Sequence, residues 1–356
     1  MANRGLIFIP DISGFTRFVS NTDVEHSRYI IQELLETIIN ANEIDLSVSE
    51  VEGDAVLFYK YGEPPGINIL YEQVKKMFCN FHRHLISYEL CRICQCTACR
   101  SAINLSLKVI THYGEFTGYN VKNFDKLVGK DIIVAHQLLK NNIEQHEYWL
   151  VTDGLRNNVS RENIPPGFHW NLSSIDTENG KIPFGFIHLS PLRKKMPPVN
   201  KPQYDIGEKV QVLSLSKEIN AGINTVFYTA INFSSRHQWF TRVKEINDLS
   251  HTLPRVGTSH CCVLEKGKEI MFTSDFSYSP EKIIYCETDD KKTSICQFTS
   301  EKMNDRLTRF TIDLFLKKNF IMLNIFRLLM KKKIQKSFLK SIDNLALLVN
   351  RVHSPA

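Results

Sequence analysis

The stretch Phe8-Ile9-Pro10-Asp11-Ile12-Ser13-Gly14-Phe15-Thr16 decides how the first half of this 356-residue chain reads. Its apolar lead, Leu6 to Ile9, predicts a buried strand that ends on the carboxylate of Asp11, and Gly14 lets the chain turn sharply afterwards. Downstream, Glu50-Val51-Glu52-Gly53-Asp54-Ala55 puts a second carboxylate, Asp54, at a Gly-Asp turn between two strand-like runs, Leu46 to Val51 and Ala55 to Tyr59. Between the acids, Ile30, Ile31, Leu34, Leu35, Ile38 and Ile39 recur at helical spacing behind the capping-box pattern Thr22-x-x-Glu25. Strand, helix and hairpin make a compact unit that can bring Asp11 and Asp54 to one divalent cation. The alternative reading is that Asp11 and Asp54 are exposed turn carboxylates with no shared ion.

The length suits two domains, each large enough to bury a core. No stretch approaches the roughly 18 uninterrupted apolar residues of a membrane span, and Asp11 cuts the first apolar run short of a signal peptide. The expected location is cytoplasmic. Nine cysteines, four of them within residues 91–99, fit a reduced compartment better than a disulfide framework. The net charge of +6 is uneven: residues 317–351 hold nine Lys or Arg against one acid, Asp343, so the rest of the chain is slightly acidic. Such a run could meet anionic lipid or nucleic acid, but the commoner meaning is a solvated helix face. Nucleic acid is not expected as a partner, and contact with a membrane surface is the lesser reading.

Residues 191–205 carry four prolines and four cations without an apolar period, which predicts an exposed linker between domains at 1–190 and 206–356. In the first domain the pattern predicts a helix over 67–88, a strand over 104–111, a turn at Gly114-Glu115, a helix over 130–141, a strand over 148–152 and a strand pair near 168–189. That is an α+β sheet with helices on one face. In the second it predicts a strand over 209–216, a helix over 221–231, about five strands between 241 and 315, and a long closing helix. The helix has an apolar stripe Leu323, Phe326, Met330, Ile334, Phe338, Ile342, Leu345, Leu348, Val352.

At Asp11-Ile12-x-Gly14-Phe15-Thr16 and Gly53-Asp54 the chain resembles the catalytic domain of the class III nucleotidyl cyclases, with Leu107 to Gly118 and Gly129 to Leu138 similar to the segments that follow. The resemblance covers residues 5–190 and implies a ferredoxin-like, cyclase-type sheet acting as a homodimer. It implies that Asp11 and Asp54, with the Ile12 carbonyl, hold two Mg or Mn ions, which stabilise charge on the attacking and leaving oxygens as a cyclic phosphate closes. The Phe15 and Thr16 amides would cradle phosphate, and Lys181 would bind the triphosphate. Glu50 stands at the purine-reading position; a carboxylate accepts from the N1 and amino protons of guanine, so a guanine nucleotide is favoured. Its partner position, Lys126, fits neither purine pattern. Active members carry an Asn and an Arg that orient ribose and stabilise the transition state. The matching positions here are Ile133 and Gln137, which can do neither; loss of such an electrostatic group costs on the order of 10²-fold in rate. His136 and Lys140 lie nearby.

Cys91-x-x-Cys94-x-Cys96-x-x-Cys99 packs four thiols into nine residues, the kind of set that tetrahedral zinc takes. One corner could instead come from Cys79, His82 or His84 on the preceding helix. Unmetallated thiols and a redox switch are the other readings.

Residues 206–352 resemble the START-like, helix-grip superfamily in pattern: a strand, a helix with Val226-Phe227, Trp239-Phe240, the local motif Pro254-x-x-Gly257, an antiparallel sheet and a long final helix. The resemblance implies an apolar cavity for a small hydrophobic ligand. Phe227, Trp239, Phe272 and Phe298 themselves read as core packing. The order of the halves is similar to that of an uncharacterised bacterial family in which a cyclase-like domain precedes a START-like one. Three functions follow: a signalling protein whose degenerate cyclase domain binds metal and nucleotide while the second domain senses an apolar ligand; an active cyclase with altered catalytic residues; or a ligand-binding protein with a dimerising scaffold.

Overall fold

The computed structural model describes residues 3–353 apart from 23, 123, 159–168, 178–179, 248, 251–252 and 266. The chain divides into two compact units, Met1–Leu90 with Gln95–Asn200, and Cys91–Cys94 with Lys201–Ala356.

The first unit opens with β1 (Asn3–Ser13), α1 (Phe15–Ser20) and α2 (Val24–Asn40), then the hairpin of β2 (Ser47–Glu52) and β3 (Ala55–Tyr61). A long α3 (Ile67–Cys91) leads to the short α4 (Thr97–Ser101), β4 (Ser106–Val121), β5 (Phe124–Val128) and α5 (Lys130–Leu138). It ends with β6 (Tyr148–Thr152), α6 (Asp153–Asn158), β7 (Asn171–Thr177), β8 (Gly180–His188) and α7 (Ser190–Lys195). The sheet order is β2-β3-β1-β4-β6-β8-β7, with β5 pairing off β4.

β1 lies at the centre, antiparallel to both neighbours, and Leu6 to Ile9 are essentially inaccessible to solvent. A strand buried on both faces reads as a continuous apolar run, which is why these residues do not alternate with polar ones. Ile7 and Ile9 share a core with Ile132 and Ala135 of α5, while Phe8 meets Phe58 edge-on on the opposite face. Helices on one face alone, the expectation from the element pattern, is therefore corrected to a sheet covered on both sides.

Gly114 is no turn. β4 pairs with β1 continuously from Ser106 through Phe116, with Gly114 opposite Gly5. A Cβ on Gly114 would lie 2.2 Å from the Asp131 carboxyl carbon, so the glycine leaves room for α5 to dock. Asp131 accepts from the Glu115 amide at 2.6 Å and contacts His112 Nε2 at 3.0 Å, and these bonds hold its carboxyl below the usual range.

The second unit contains β9 (Lys209–Ile219), α8 (Ile223–Ile231), α9 (Arg236–Trp239), β10 (Val243–Asn247), β11 (Ser259–Leu264), β12 (Lys268–Tyr278), β13 (Lys282–Asp289), β14 (Ser294–Asn304) and β15 (Leu307–Lys317). The seven strands form an antiparallel sheet, β10-β11-β12-β13-β14-β15-β9, so the first strand closes beside the last. α10 (Phe320–Ile325), a π-helical turn over Phe326–Met330 and α11 (Lys331–His353) complete the chain.

Ile334, Phe338, Ile342, Leu345 and Val349 bury α11 against a core that includes Phe227, Trp239 and Phe298, as the aromatic pattern predicted. The expected stripe is shifted at both ends. The π turn adds a residue to its turn and leaves Met330 exposed, while Val349 rather than Leu348 takes the last fully buried place; the Val352 side chain lies outside the described residues.

Candidate metal and nucleotide site

Asp11 and Asp54 come together through the hairpin. β1 pairs with β3 so that Asp11 lies opposite Ala55, and Gly53 and Asp54 are the two residues that turn β2 into β3. Gly53 has φ 62°, which the first central residue of such a turn needs and glycine adopts without strain. The Ile12 amide donates to the Asp54 carbonyl at 3.0 Å, tying the turn to the end of β1.

A third charged group completes this end of the sheet. Lys108 on β4 lies opposite Asp11; its Nζ is 3.4 Å from Asp11 Oδ1 and donates to the Leu139 carbonyl, just past α5, at 3.2 Å. A lysine inside the apolar run Leu107-Lys108-Val109-Ile110 was the available signal, but its partner depends on strand register. Asp11 is 8% exposed, and burial pushes its carboxyl up against the pull of Lys108. Asp54 is pushed up to about 6, first by burial and then by the negative charge of Asp11. The second cause shows that the acids share one electrostatic environment. One ammonium against two carboxylates leaves a partly buried negative charge that a divalent cation would neutralise, and all-oxygen donors suit Mg or Mn. The residues fit such an ion.

Among the other expected site residues, Phe15 and Thr16 open the six-residue α1 directly after Gly14. Glu50 forms an ion pair with Lys126, so the two positions that the resemblance assigns to base reading face each other within one chain. Glu50, Glu52 and His136 also each bring a donor atom within 4.8 Å of the others, with His136 Nδ1 3.8 Å from Glu52 Oε2. On α5, Ile133 is 54% exposed, and the buried Oε1 of Gln137 has no hydrogen-bond partner among the described residues. Lys181 lies on β8 opposite Asp176; β4 and β6 separate that strand from β1, so a single chain does not bring Lys181 to the acids.

The cysteine cluster is a second candidate metal centre, with one member exchanged. Cys94, Cys96, Cys99 and His26 each offer a donor atom, all within 4.8 Å of one another. His26 Nδ1 lies 3.3 Å from Cys96 Sγ and 3.4 Å from Cys99 Sγ, close to the roughly 3.6 Å N-to-S edge of a tetrahedral zinc site. The Cys99 amide donates to Cys96 Sγ at 3.5 Å, capping α4. Cys91 stands outside the group: it ends α3 and packs into an apolar core with Ile93. The helix that supplies the histidine is α2 rather than α3; His82 is buried against Phe78 and His84 pairs with Glu33. No sequence spacing pointed to His26, since the contact spans 70 residues.

The second unit holds a different charge cluster. Arg236 donates two hydrogen bonds to Glu287, at 3.0 and 3.1 Å, and the Tyr285 hydroxyl donates to the same carboxylate at 2.9 Å. The guanidinium lies over Phe233, Trp239 and Phe298 at 5.2–5.6 Å. His260 Nε2 is 3.8 Å from Glu287, and burial holds the imidazole below its usual range. On the other face of the sheet a recess of about 600 Å³ is lined by Lys201, Tyr204, Ser274, Asp275, Gln297 and Phe315, among others.

Comparison with known proteins places these sites in context. Residues 31–148 match a family described as a protein of unknown function, DUF2652. The uncharacterized protein Rv2561/Rv2562 of Mycobacterium tuberculosis is 31% identical over 121 residues, 34% of this chain; the chain spans only 56% of that relative's length. Among solved structures, about half of the chain is similar to class III cyclase domains. The guanylyl cyclase domain of the RhoGC fusion protein from Blastocladiella emersonii is 16% identical, with TM-score 0.37, 52% of this chain and 96% of that one covered. The guanylate cyclase domain of RhGC from Catenaria anguillulae, in complex with GTP, is 16% identical with TM-score 0.36, over 52% and 95% of the two chains. A bacterial light-regulated adenylyl cyclase is 12% identical with TM-score 0.39, over 53% and 52%. No helix among the described residues is long and apolar enough to cross a membrane.

Proposed function

We propose that this chain is a signalling protein whose first unit binds a divalent metal and a nucleoside triphosphate without efficient cyclase turnover, while its second unit binds a small apolar ligand. The observation that carries the reading is the convergence of Asp11 and Asp54 at the end of β1, with Asp54 pushed up to about 6 by burial and by Asp11. Mg or Mn held there by the two carboxylates and the Ile12 carbonyl would supply charge neutralisation at the phosphates. The chain's own part is to hold the acids in a partly dry site, with Lys108 balancing one of them.

The same reading predicts weak turnover. Ile133 offers ribose no hydrogen bond and Gln137 offers phosphate no charge. Lys181 is separated from the acids within one chain, so a complete triphosphate site would need a second copy, and a homodimer is part of the proposal. A guanine nucleotide is favoured through Glu50, whose pairing with Lys126 must loosen as the base enters.

Zinc at His26, Cys94, Cys96 and Cys99 belongs to the same proposal as a structural ion, joining the start of α2 to α4 with no open position for chemistry. Native mass spectrometry of the intact chain should find one zinc, retained in Cys91→Ser and lost in His26→Ala. Equal zinc in the wild type and His26→Ala would refute the assignment.

The test of the main reading is incubation with each of the four nucleoside triphosphates and Mg²⁺ or Mn²⁺. Metal-dependent binding without cyclic product, lost in Asp54→Ala, is the expected result. Cyclic product lost in that variant would make the chain an active cyclase, for which His136 near Glu52 is the available replacement group. Neither binding nor product would leave a scaffold.

A further inference from the structure

The strongest feature outside these sites is a surface on which apolar and cationic side chains are exposed together. Phe320, Ile321, Ile325, Leu328 and Leu329 are 81%, 68%, 48%, 83% and 78% exposed, in a segment where Phe326 alone is fully buried. Ile321, Ile325 and Leu328 recur at one-turn spacing, which puts them on one side of α10 and the π turn, away from Phe326. Isolated exposed leucines are ordinary; five large apolar side chains within ten residues are not.

The charge around them has one sign. Lys317, Lys318, Arg327, Lys331, Lys332 and Lys333 flank the apolar residues and are exposed, and residues 317–333 contain no acid. Lys318 pairs with Glu208 at 3.0 Å, which leaves the cations from Arg327 onward as the main positive field beside the stripe.

We propose that α10 and the following turn dock on the surface of an anionic lipid membrane, with Ile321, Ile325, Leu328 and Leu329 entering the acyl boundary and Arg327 and Lys331–Lys333 meeting lipid phosphates and carboxylates. Apolar side chains set among cations are what an interfacial helix needs, since burial of the first and attraction of the second act on the same plane. A second copy of this chain is a poorer occupant, because a symmetric interface would bring the two cationic rims against each other. Nucleic acid would engage the cations but leave the apolar stripe in water. The helix lies on the membrane and does not cross it.

Sedimentation of the full chain with vesicles tests this. Binding is expected to vesicles with about a third phosphatidylserine and to fall at least tenfold with phosphatidylcholine alone or in half-molar salt. The exposed-site variants L328E/L329E and K331E/K332E/K333E should each lose binding at least tenfold while keeping the wild-type circular dichroism melt. No wild-type binding, or equal binding to both vesicle types, would overturn the proposal. So would L328E/L329E turning an oligomer into a monomer with no vesicle binding by the wild type, or a short duplex DNA displacing the vesicles.

Discussion

Two buried or part-buried charge groups, one in each unit, set carboxylate against cation and reach opposite electrostatic outcomes. Glu287 is fully paired: Arg236 meets both its oxygens and Tyr285 donates to it. Burial pushes its carboxyl up, but the charges of Arg236 and His260 and the hydrogen bonds from Arg236 and Tyr285 together hold it below the usual range. Asp11 and Asp54 share one lysine between two charges, and both carboxyls are pushed up. Burial is therefore not what distinguishes a site from a structural pair; imbalance is. A saturated cluster holds a core together, and an unsaturated one has room for a ligand of the missing charge.

The largest expected effect breaks the saturated side. Glu287→Ala leaves the Arg236 guanidinium buried among aromatics with no counter-charge, which should destabilise the protein by about 3–5 kcal/mol in denaturant unfolding. Replacing both, as R236M/E287L, should cost little or even stabilise, because no charge is then left without its partner. If the single variant is as stable as the double, the pair is not the balanced element described.

A medium effect sharpens the role of burial at an imidazole whose Nε2 lies 3.4 Å from the Glu147 carboxylate. His82 on α3 is 1% exposed, and burial first, then the nearby Arg193, brings its imidazole down to about 3. Between that value and the ordinary 6.5 the unfolded chain binds more protons than the folded one. Its contribution is therefore complete above pH 6.5 and is lost on acidification, by about 2 kcal/mol at pH 5. Unfolding free energies at pH 7.5 and 5.0 should differ by that much less in His82→Gln.

The smallest effect concerns the imbalance itself. A raised Asp54 binds its proton more tightly when folded, so stability from this group is present at low pH and declines as pH rises from about 4 to 6. Asp54 is half-exposed, and solvent screening reduces the effect to about 1 kcal/mol. Asp54→Asn should raise the metal-free melting stability at pH 7.5 by that amount, and added Mn²⁺ should stabilise the wild type but not the variant.

How much of this was legible in the sequence depended on distance along the chain. The buried β1 and the Gly53-Asp54 turn are local patterns and formed as read, although β1 runs two residues past Asp11, to Ser13. Lys108 and His26 were missed because each meets its partner through strand register or helix packing, 97 and 70 residues away. Gly114 was misread because a glycine that permits a turn and one that permits close approach look alike until Asp131 is seen against it. Cys91 matched the spacing of a ligand, but its neighbour Ile93 drew that end of the segment into an apolar core. The closing helix kept its period, and one π turn moved its stripe.

The most direct test of the central claim is Mn²⁺ binding by the intact chain, followed by electron paramagnetic resonance at pH 7.5 and pH 5. The account predicts Mn²⁺ bound at pH 7.5, weakened at least tenfold in Asp11→Asn and in Asp54→Asn, and weakened in the wild type at pH 5, where the proton competes for Asp54. Mn²⁺ bound equally by the wild type and both variants, or not bound at millimolar concentration, would contradict it.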